Sequence, residues 1–206
     1  LNNHQNEATA HYLYALATDD NETKRTECEK AISINPLFYY AYCGLAYYYQ
    51  FSKDYDKAIS FAKKALEINP DYAYGYGRLG EIYRSKKDAE NAIKNYEKCL
   101  TIDPLFTEAR INLSQTYLIT KKYNESIYIT TQIILMDKRP HFQILAYSNR
   151  GIAYKSLNEF DLAKNDFIKA SEIAKNEKSS EMCYFIAQCF SLIKKYNLAI
   201  QAASID

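Results

Sequence analysis

A phrase 34 residues long is written twice between Tyr39 and Pro104, and no other feature of the sequence constrains the fold as much. Tyr42, Leu45, Ala46 and Tyr49 open the first copy, and Ala58, Ala62, Ala65 and Pro70 complete it. Tyr76, Leu79, Gly80 and Tyr83, then Ala92, Tyr96, Cys99 and Pro104, stand at the same offsets in the second. Pro36, Pro70 and Pro104 keep the same step. A fixed period of this size marks stacked helical modules, each too small to bury its own apolar side. Apolar residues within a copy recur three and four positions apart, the spacing of one helix face. Ala46 and Ala58 let paired helices approach closely, and Tyr49 fills the space above them.

Six modules are expected, over residues 5–36, 39–70, 73–104, 107–138, 144–175 and 180–206, forming a single array. The first is degenerate, with His11 and Tyr12 where the later modules place Leu and a small residue; its helices are expected near 7–17 and 22–34. Asp54 and Asp88 are expected N-caps, accepting from backbone N–H groups that have no partner in the first turn. Pro70 stops its helix, because it has no N–H and disfavours helix in the residue before it. The fourth module keeps Leu113, Tyr117 and Ile127 but carries Arg110, Ser114 and Ser126, and Lys138 replaces the closing proline. Tyr117 to Tyr154 spans 37 residues, so a three-residue insertion falls at 137–141, as a longer loop or an extended helix end. The fifth module is clear again, with Tyr147, Gly151, Tyr154, Ala163, Phe167 and Ala170.

This order of a large aromatic, a Leu-Gly pair, Tyr, Ala, an aromatic and a closing Pro resembles the tetratricopeptide-repeat family. The resemblance implies an all-α fold, a right-handed α-α superhelix of about six helix-pair repeats. It also implies a concave groove, lined by the first helix of each repeat, where partners bind. The sequence departs from the pattern in two ways. The turn inside each repeat usually carries Gly, whereas Lys53, Lys87, Lys121, Asn158 and Lys194 stand there. A Lys held in the left-handed conformation costs about 1 kcal/mol, so a changed turn geometry is expected. No polar capping helix follows the sixth repeat, so its apolar end is expected to be covered by further chain, a partner or another copy of itself. The absence of an initial Met leads to the expectation of a fragment or a processed product.

Composition narrows the function. Net charge is +1, which argues against general binding to nucleic acid or an anionic membrane, both of which need clustered positive charge. No stretch is long and apolar enough to span a bilayer. Five cysteines without a Cys-x-x-Cys pair read as reduced, partly buried thiols, which suits a cytoplasmic location. The string Gly75-Tyr76-Gly77-Arg78-Leu79-Gly80 spells a dinucleotide fingerprint, but a helix precedes it where that motif needs a strand. His4, His11 and His141 lack a second ligand at metal spacing. Ser60 to Lys63 matches an acyl-enzyme string without its companion motifs. No catalytic residue, cofactor or metal is therefore expected. The Lys doublets at 86–87, 121–122 and 194–195 read as solvated turns.

The face not used by the Leu-Gly-Tyr core is the expected binding surface. It carries Tyr40 and Tyr47 in the second repeat, Tyr74, Arg78 and Glu81 in the third, and Asn112 and Gln115 in the fourth. Asn149 and Ile152 follow in the fifth, and Tyr184 in the sixth. Cys43, Gly77, Ile111 and Ser148 are expected on the same face. Tyrosines offer large contact area at low entropic cost. Asn112 and Asn149, at equivalent positions, resemble the asparagine ladder with which some relatives hold a peptide backbone. The carboxylate-clamp subtype, which takes acidic chaperone tails, needs Lys and Arg that no frame here supplies. The expected function is a non-catalytic scaffold or adaptor holding a peptide or helix in the groove. The alternatives are a targeting or regulatory arm of a larger enzyme, and a co-chaperone-type module without the clamp.

Overall fold

The structure is a computed structural model that describes residues 2–176 and, beyond them, Ser191 and Lys194. Ten α-helices follow in order: α1 (Asn2–Ala17), α2 (Asn21–Ile34), α3 (Tyr39–Phe51), α4 (Tyr55–Ile68), α5 (Ala73–Ser85), α6 (Ala89–Ile102), α7 (Thr107–Ile119), α8 (Tyr123–Met136), α9 (Pro140–Ser156) and α10 (Phe160–Asn176). They pack as five antiparallel pairs, and no strand occurs among the described residues. The expected sixth pair lies outside the described residues. The chain divides into two compact units, Leu1–Phe106 and Thr107–Asp206. The first holds α1–α6 and the second α7–α10. In the first unit α1 touches α3 and α3 touches α5, while the second helices of successive pairs do not meet. The first helices therefore form the inner, crowded face of that unit.

The core follows a volume rule across positions 16 residues apart. Gly80 faces Tyr96, and Gly151 faces Phe167, so closely that an added Cβ would lie 2.6 Å and 2.8 Å from the rings. The corresponding pairs are Ala46 with Ala62, and Ser114 with Thr130, all fully buried. A ring on the second helix thus goes with glycine on the first, and a small residue with a small one. The first repeat reverses the arrangement, with Tyr12 on α1 and the small, buried Cys28 on α2. One position earlier, His11 Nδ1 lies 2.6 Å from Glu27 Oε2. His11 and Tyr12 therefore leave the first helix intact, because α2 carries matching residues.

The turn inside each repeat keeps the left-handed residue that the sequence argues against. Lys53, Lys87, Lys121 and Asn158 have φ of 63°, 65°, 61° and 64°. The cause is a repeated pair of backbone bonds. Asp54 N–H donates to the Tyr49 carbonyl at 2.9 Å, and Lys53 N–H to the Gln50 carbonyl at 3.0 Å. The same two bonds recur on the carbonyls of Tyr83 and Arg84, of Tyr117 and Leu118, and of Tyr154 and Lys155. They satisfy carbonyls that the end of a helix leaves open, and only a left-handed residue closes the ring. The expected change of turn geometry does not occur at these four turns. Lys194, the fifth residue at this position, is helical. Asp54 and Asp88 then cap α4 and α6 by accepting from Lys57 N–H and Asn91 N–H.

A second turn links successive repeats. Asn35, Asn69 and Asp103 each precede a proline and adopt extended backbone, as a pre-proline residue must. Their side-chain Oδ1 accepts from the N–H two residues on, at 3.0, 3.2 and 3.0 Å. Asp137 repeats this bond with Arg139 N–H at 3.0 Å although no proline follows it directly. The insertion beyond it becomes helix: α9 has 17 residues, against 13 in α3, α5 and α7, and starts on Pro140. Proline suits that first position because its missing N–H would have had no partner there.

Candidate functional site

In the first unit the inner face is a field of rings. Tyr40, Tyr47 and Tyr74 are 37%, 44% and 39% exposed, far more than core aromatics such as Tyr96. Seven rings form one connected cluster: Tyr12, Phe38, Tyr39, Tyr40, Tyr72, Tyr74 and Phe106. Tyr39 and Tyr40 have centroids 4.2 Å apart, and Tyr40 meets Tyr72 at 5.4 Å. The period creates this arrangement, because Phe38, Tyr72 and Phe106 occupy one slot and Tyr40 and Tyr74 another.

Arg78 sits among these rings. Its guanidinium carbon is 5.0 Å from the Tyr47 ring centre and 5.1 Å from that of Tyr74, a cation–π arrangement on both sides. It donates to the Glu81 carboxylate and to the Tyr74 hydroxyl. Burial favours losing the proton, but Glu81 and Tyr74 outweigh it and hold the pKa above its ordinary value. Arg78 therefore stays charged. Its Nε is buried and has no hydrogen-bond partner.

Beside Arg78 opens a cleft of about 250 Å³. α1 contributes Tyr12, Ala15 and Leu16 to it, and α2 contributes Lys24 and Cys28. α3 adds Cys43, Gly44 and Tyr47, and α5 adds Tyr74 and Arg78. Burial pushes the thiols of Cys28 and Cys43 up to about 12, so both stay protonated and act as small apolar surface. Among the described residues no cluster of His, Cys, Asp or Glu is able to hold a metal ion. No described helix is long and apolar enough to cross a membrane.

Tetratricopeptide-repeat models match residues 39–72, 73–104 and 144–177. The chain is a tetratricopeptide-repeat protein. No curated protein matches the sequence. Among solved structures, PilF of Pseudomonas aeruginosa is similar with a TM-score of 0.75 at 16% identity, over 98% of this chain and 99% of that one. TTC0263 of Thermus thermophilus, a thermophilic tetratricopeptide-repeat protein, gives 0.68 at 21% identity, over 91% and 98%. YrrB, a tetratricopeptide-repeat protein with an unusual peptide-binding site, gives 0.67 at 17%, over 90% of each. At these identities the likeness establishes the fold. The fourth repeat lies outside the matched spans, with Arg110, Ser114 and Lys138 off the pattern, yet α7 and α8 pair as the others do.

The second unit of this repeat protein treats its expected contact residues differently. Asn149 is only 4% exposed, and its Nδ2 donates to Ser114 Oγ at 2.9 Å. Ser114 in turn donates to the Ile111 carbonyl. The Asn149 amide thus ties α9 to α7, which corrects the expectation that it faces a partner's backbone. Ser114, standing where other repeats have Ala or Gly, supplies the acceptor. Asn112 and Gln115 are half-buried, and Ile152 packs against Ala163 and Phe167. Tyr184 lies outside the described residues. The slot of Cys43, Gly77, Ile111 and Ser148, expected on the open face, is buried throughout.

The repeat pattern places the tyrosines and Arg78 on this face but does not show the cleft. The signal was present at Gly44. Its slot recurs as Arg78, Asn112 and Asn149, so the second repeat lacks a side chain that the next three possess.

Proposed function

We propose that this protein is a non-catalytic protein–protein interaction scaffold or adaptor that holds a segment of its partner against the inner face of the first unit. Tyr40, Tyr47, Tyr74 and Arg78 make the contact, with Glu81 fixing the arginine. The observation that carries this reading is the set of three half-exposed tyrosines gathered round a partly buried, still-charged arginine. A fold of this kind has no structural need to leave such rings open to water, and rigid aromatics beside arginine are the side chains that dominate binding energy at interfaces. The likeness to YrrB, whose peptide-binding site is described as unusual, supports a peptide as the ligand. Asn112 and Gln115 in the second unit belong to the proposal as lesser contacts, and Asn149 does not. A cytoplasmic location goes with it, where thiols such as Cys28, Cys43 and Cys99 stay reduced.

Affinity capture with the intact chain, followed by mass spectrometry, tests the reading. A specific partner retained by the wild type and lost by Tyr40→Ala/Tyr74→Ala, with an unchanged helical spectrum, supports it. A partner retained equally by both proteins refutes the assignment of the site.

A further inference from the structure

Gly44 does more than omit a side chain. A long residue at its slot in the second repeat, like the Arg or Asn of later repeats, would fill the space between α1 and α3. Cys28 on α2 compensates for its absence only in part, since its thiol lies 2.5 Å from where a Cβ at Gly44 would stand. Cys28, Ala15 and Cys43 are all smaller than the Arg or Asn of the later repeats. A cleft of about 250 Å³ remains beside them, below the range of drug-sized pockets and on the scale of one large side chain. Its aromatic walls, Tyr12, Tyr47 and Tyr74, favour a ring as the guest. The charged side chains that line it are Lys24 and Arg78, both cations. Lys24 has no ion-pair partner among the described residues. Arg78 is held in place by Glu81 and Tyr74 before any ligand arrives, so little order is lost when an anion binds.

We infer that this cleft takes an aromatic side chain with a carboxylate beside it. The ring enters over Cys28, Cys43 and Gly44, and the carboxylate meets Lys24 and Arg78. The inference rests on the peptide-binding reading and names the chemistry of the residue that anchors the peptide. A carboxylate reaches such a site from two sources, an acidic residue next to the aromatic one or the free C-terminus of the partner.

Titration of the full chain with three small probes, followed by amide NMR, separates these cases. N-acetyl-phenylalanine carries ring and terminal carboxylate, N-acetyl-phenylalanine amide carries the ring alone, and N-acetyl-aspartyl-phenylalanine amide carries a side-chain carboxylate. Fragments of this size are expected to bind with a Kd of about 1 mM. The two acids should shift the amides of Cys43, Gly44 and Tyr47, and the neutral amide should bind about tenfold more weakly. Whichever acid binds more tightly identifies the source of the carboxylate. The variant Cys28→Ala/Gly44→Asn fills the cleft and should abolish binding; removing the thiol is necessary because a Cβ at Gly44 would lie 2.5 Å from it. Lys24→Gln, at a half-exposed position, should erase most of the preference for acid over amide even if the filled variant fails to fold. Equal affinity for acid and amide, or probe binding that survives the filling of the cleft, overturns the inference. A protein partner lost on Tyr40→Ala/Tyr74→Ala, with no probe binding at Gly44, overturns the inference alone and leaves the broader reading in place.

Discussion

Replacing the left-handed lysines with glycine should stabilise the protein. Lys53, Lys87 and Lys121 sit at φ of 63°, 65° and 61°, where the Cβ of an L-residue crowds its own carbonyl. The strain is about 1–2 kcal/mol per residue. Glycine removes it but also loosens the unfolded chain, which takes back about 0.4–1 kcal/mol. The net expectation is a gain of about 0.5–1 kcal/mol per site. All three side chains are exposed, so no packing is lost with them. The two backbone bonds that close each of these turns do not involve the side chain and remain. Combined, the three changes should add about 1.5–3 kcal/mol and raise the thermal midpoint by several degrees. Asn158→Gly, at φ 64°, should give only a few tenths of a kcal/mol, because Asn already tolerates this conformation. Lys63→Gly is the control. It lies exposed in the middle of α4 and should cost about 1 kcal/mol. Urea unfolding followed by circular dichroism reads all of these. If Lys53→Gly destabilises as much as Lys63→Gly does, the turn lysines are not strained and the account of the turn is wrong.

Gly80→Ala should cost about 1–3 kcal/mol despite the better helix propensity of Ala, since the new Cβ lies 2.6 Å from the Tyr96 ring. In a Tyr96→Ala background, which recreates the Ala46/Ala62 pairing, the same change should become neutral or favourable, and a double-mutant cycle on urea midpoints measures the difference. Asp137 accepts from Arg139 and from the Thr107 hydroxyl, and the Arg139 guanidinium holds its carboxyl well below the usual carboxylate range. A carboxyl depressed on folding stabilises above its unfolded pKa of about 3.9 and loses that contribution as pH falls toward the folded value. Asp137→Asn should therefore lower the urea midpoint at pH 7 and match the wild type increasingly as pH drops below about 4.

The fold was legible because its information is periodic. Leu45 and Leu79, Ala58 and Ala92, and the prolines at a constant step fix helix pairs without any long-range knowledge. The caps Asp54 and Asp88 were legible for the same reason, as local chemistry repeated. What the sequence hid depends on pairs distant along the chain or on backbone bonds. Lysine at a turn reads as a wrong residue until the bond from Asp54 N–H to the Tyr49 carbonyl shows why the conformation is imposed. Asn149 reads as an open amide until Ser114, 35 residues earlier, is seen to accept from it. Arg150 is similar: its bidentate pair with Asp166, at 2.8 Å for both bonds, joins α9 to α10 at the register of the His11–Glu27 pair in the first repeat, but the three repeats between carry Leu45, Leu79 and Leu113 at that position.

A repeated scaffold makes each departure from the pattern interpretable, because the physical role of a slot is known from its other copies. Most departures here are compensated across the helix pair. Tyr96 and Phe167 are matched by Gly80 and Gly151, and Tyr12 by Cys28. Ser114 breaks the small apolar slot of α7 and is matched by Asn149 on α9. Compensation of this kind keeps an interior at crystal-like density, where an unfilled volume forfeits dispersion contacts on every wall. Gly44 is the departure compensated only in part. The Cys28 thiol lies 2.5 Å from where its Cβ would stand, yet a cleft of about 250 Å³ stays open beside the two. Retaining such a gap lowers stability, and it sits beside Arg78, an arginine flanked by two open tyrosines. Volume left empty next to organised charge is what a binding site requires and what packing alone would remove.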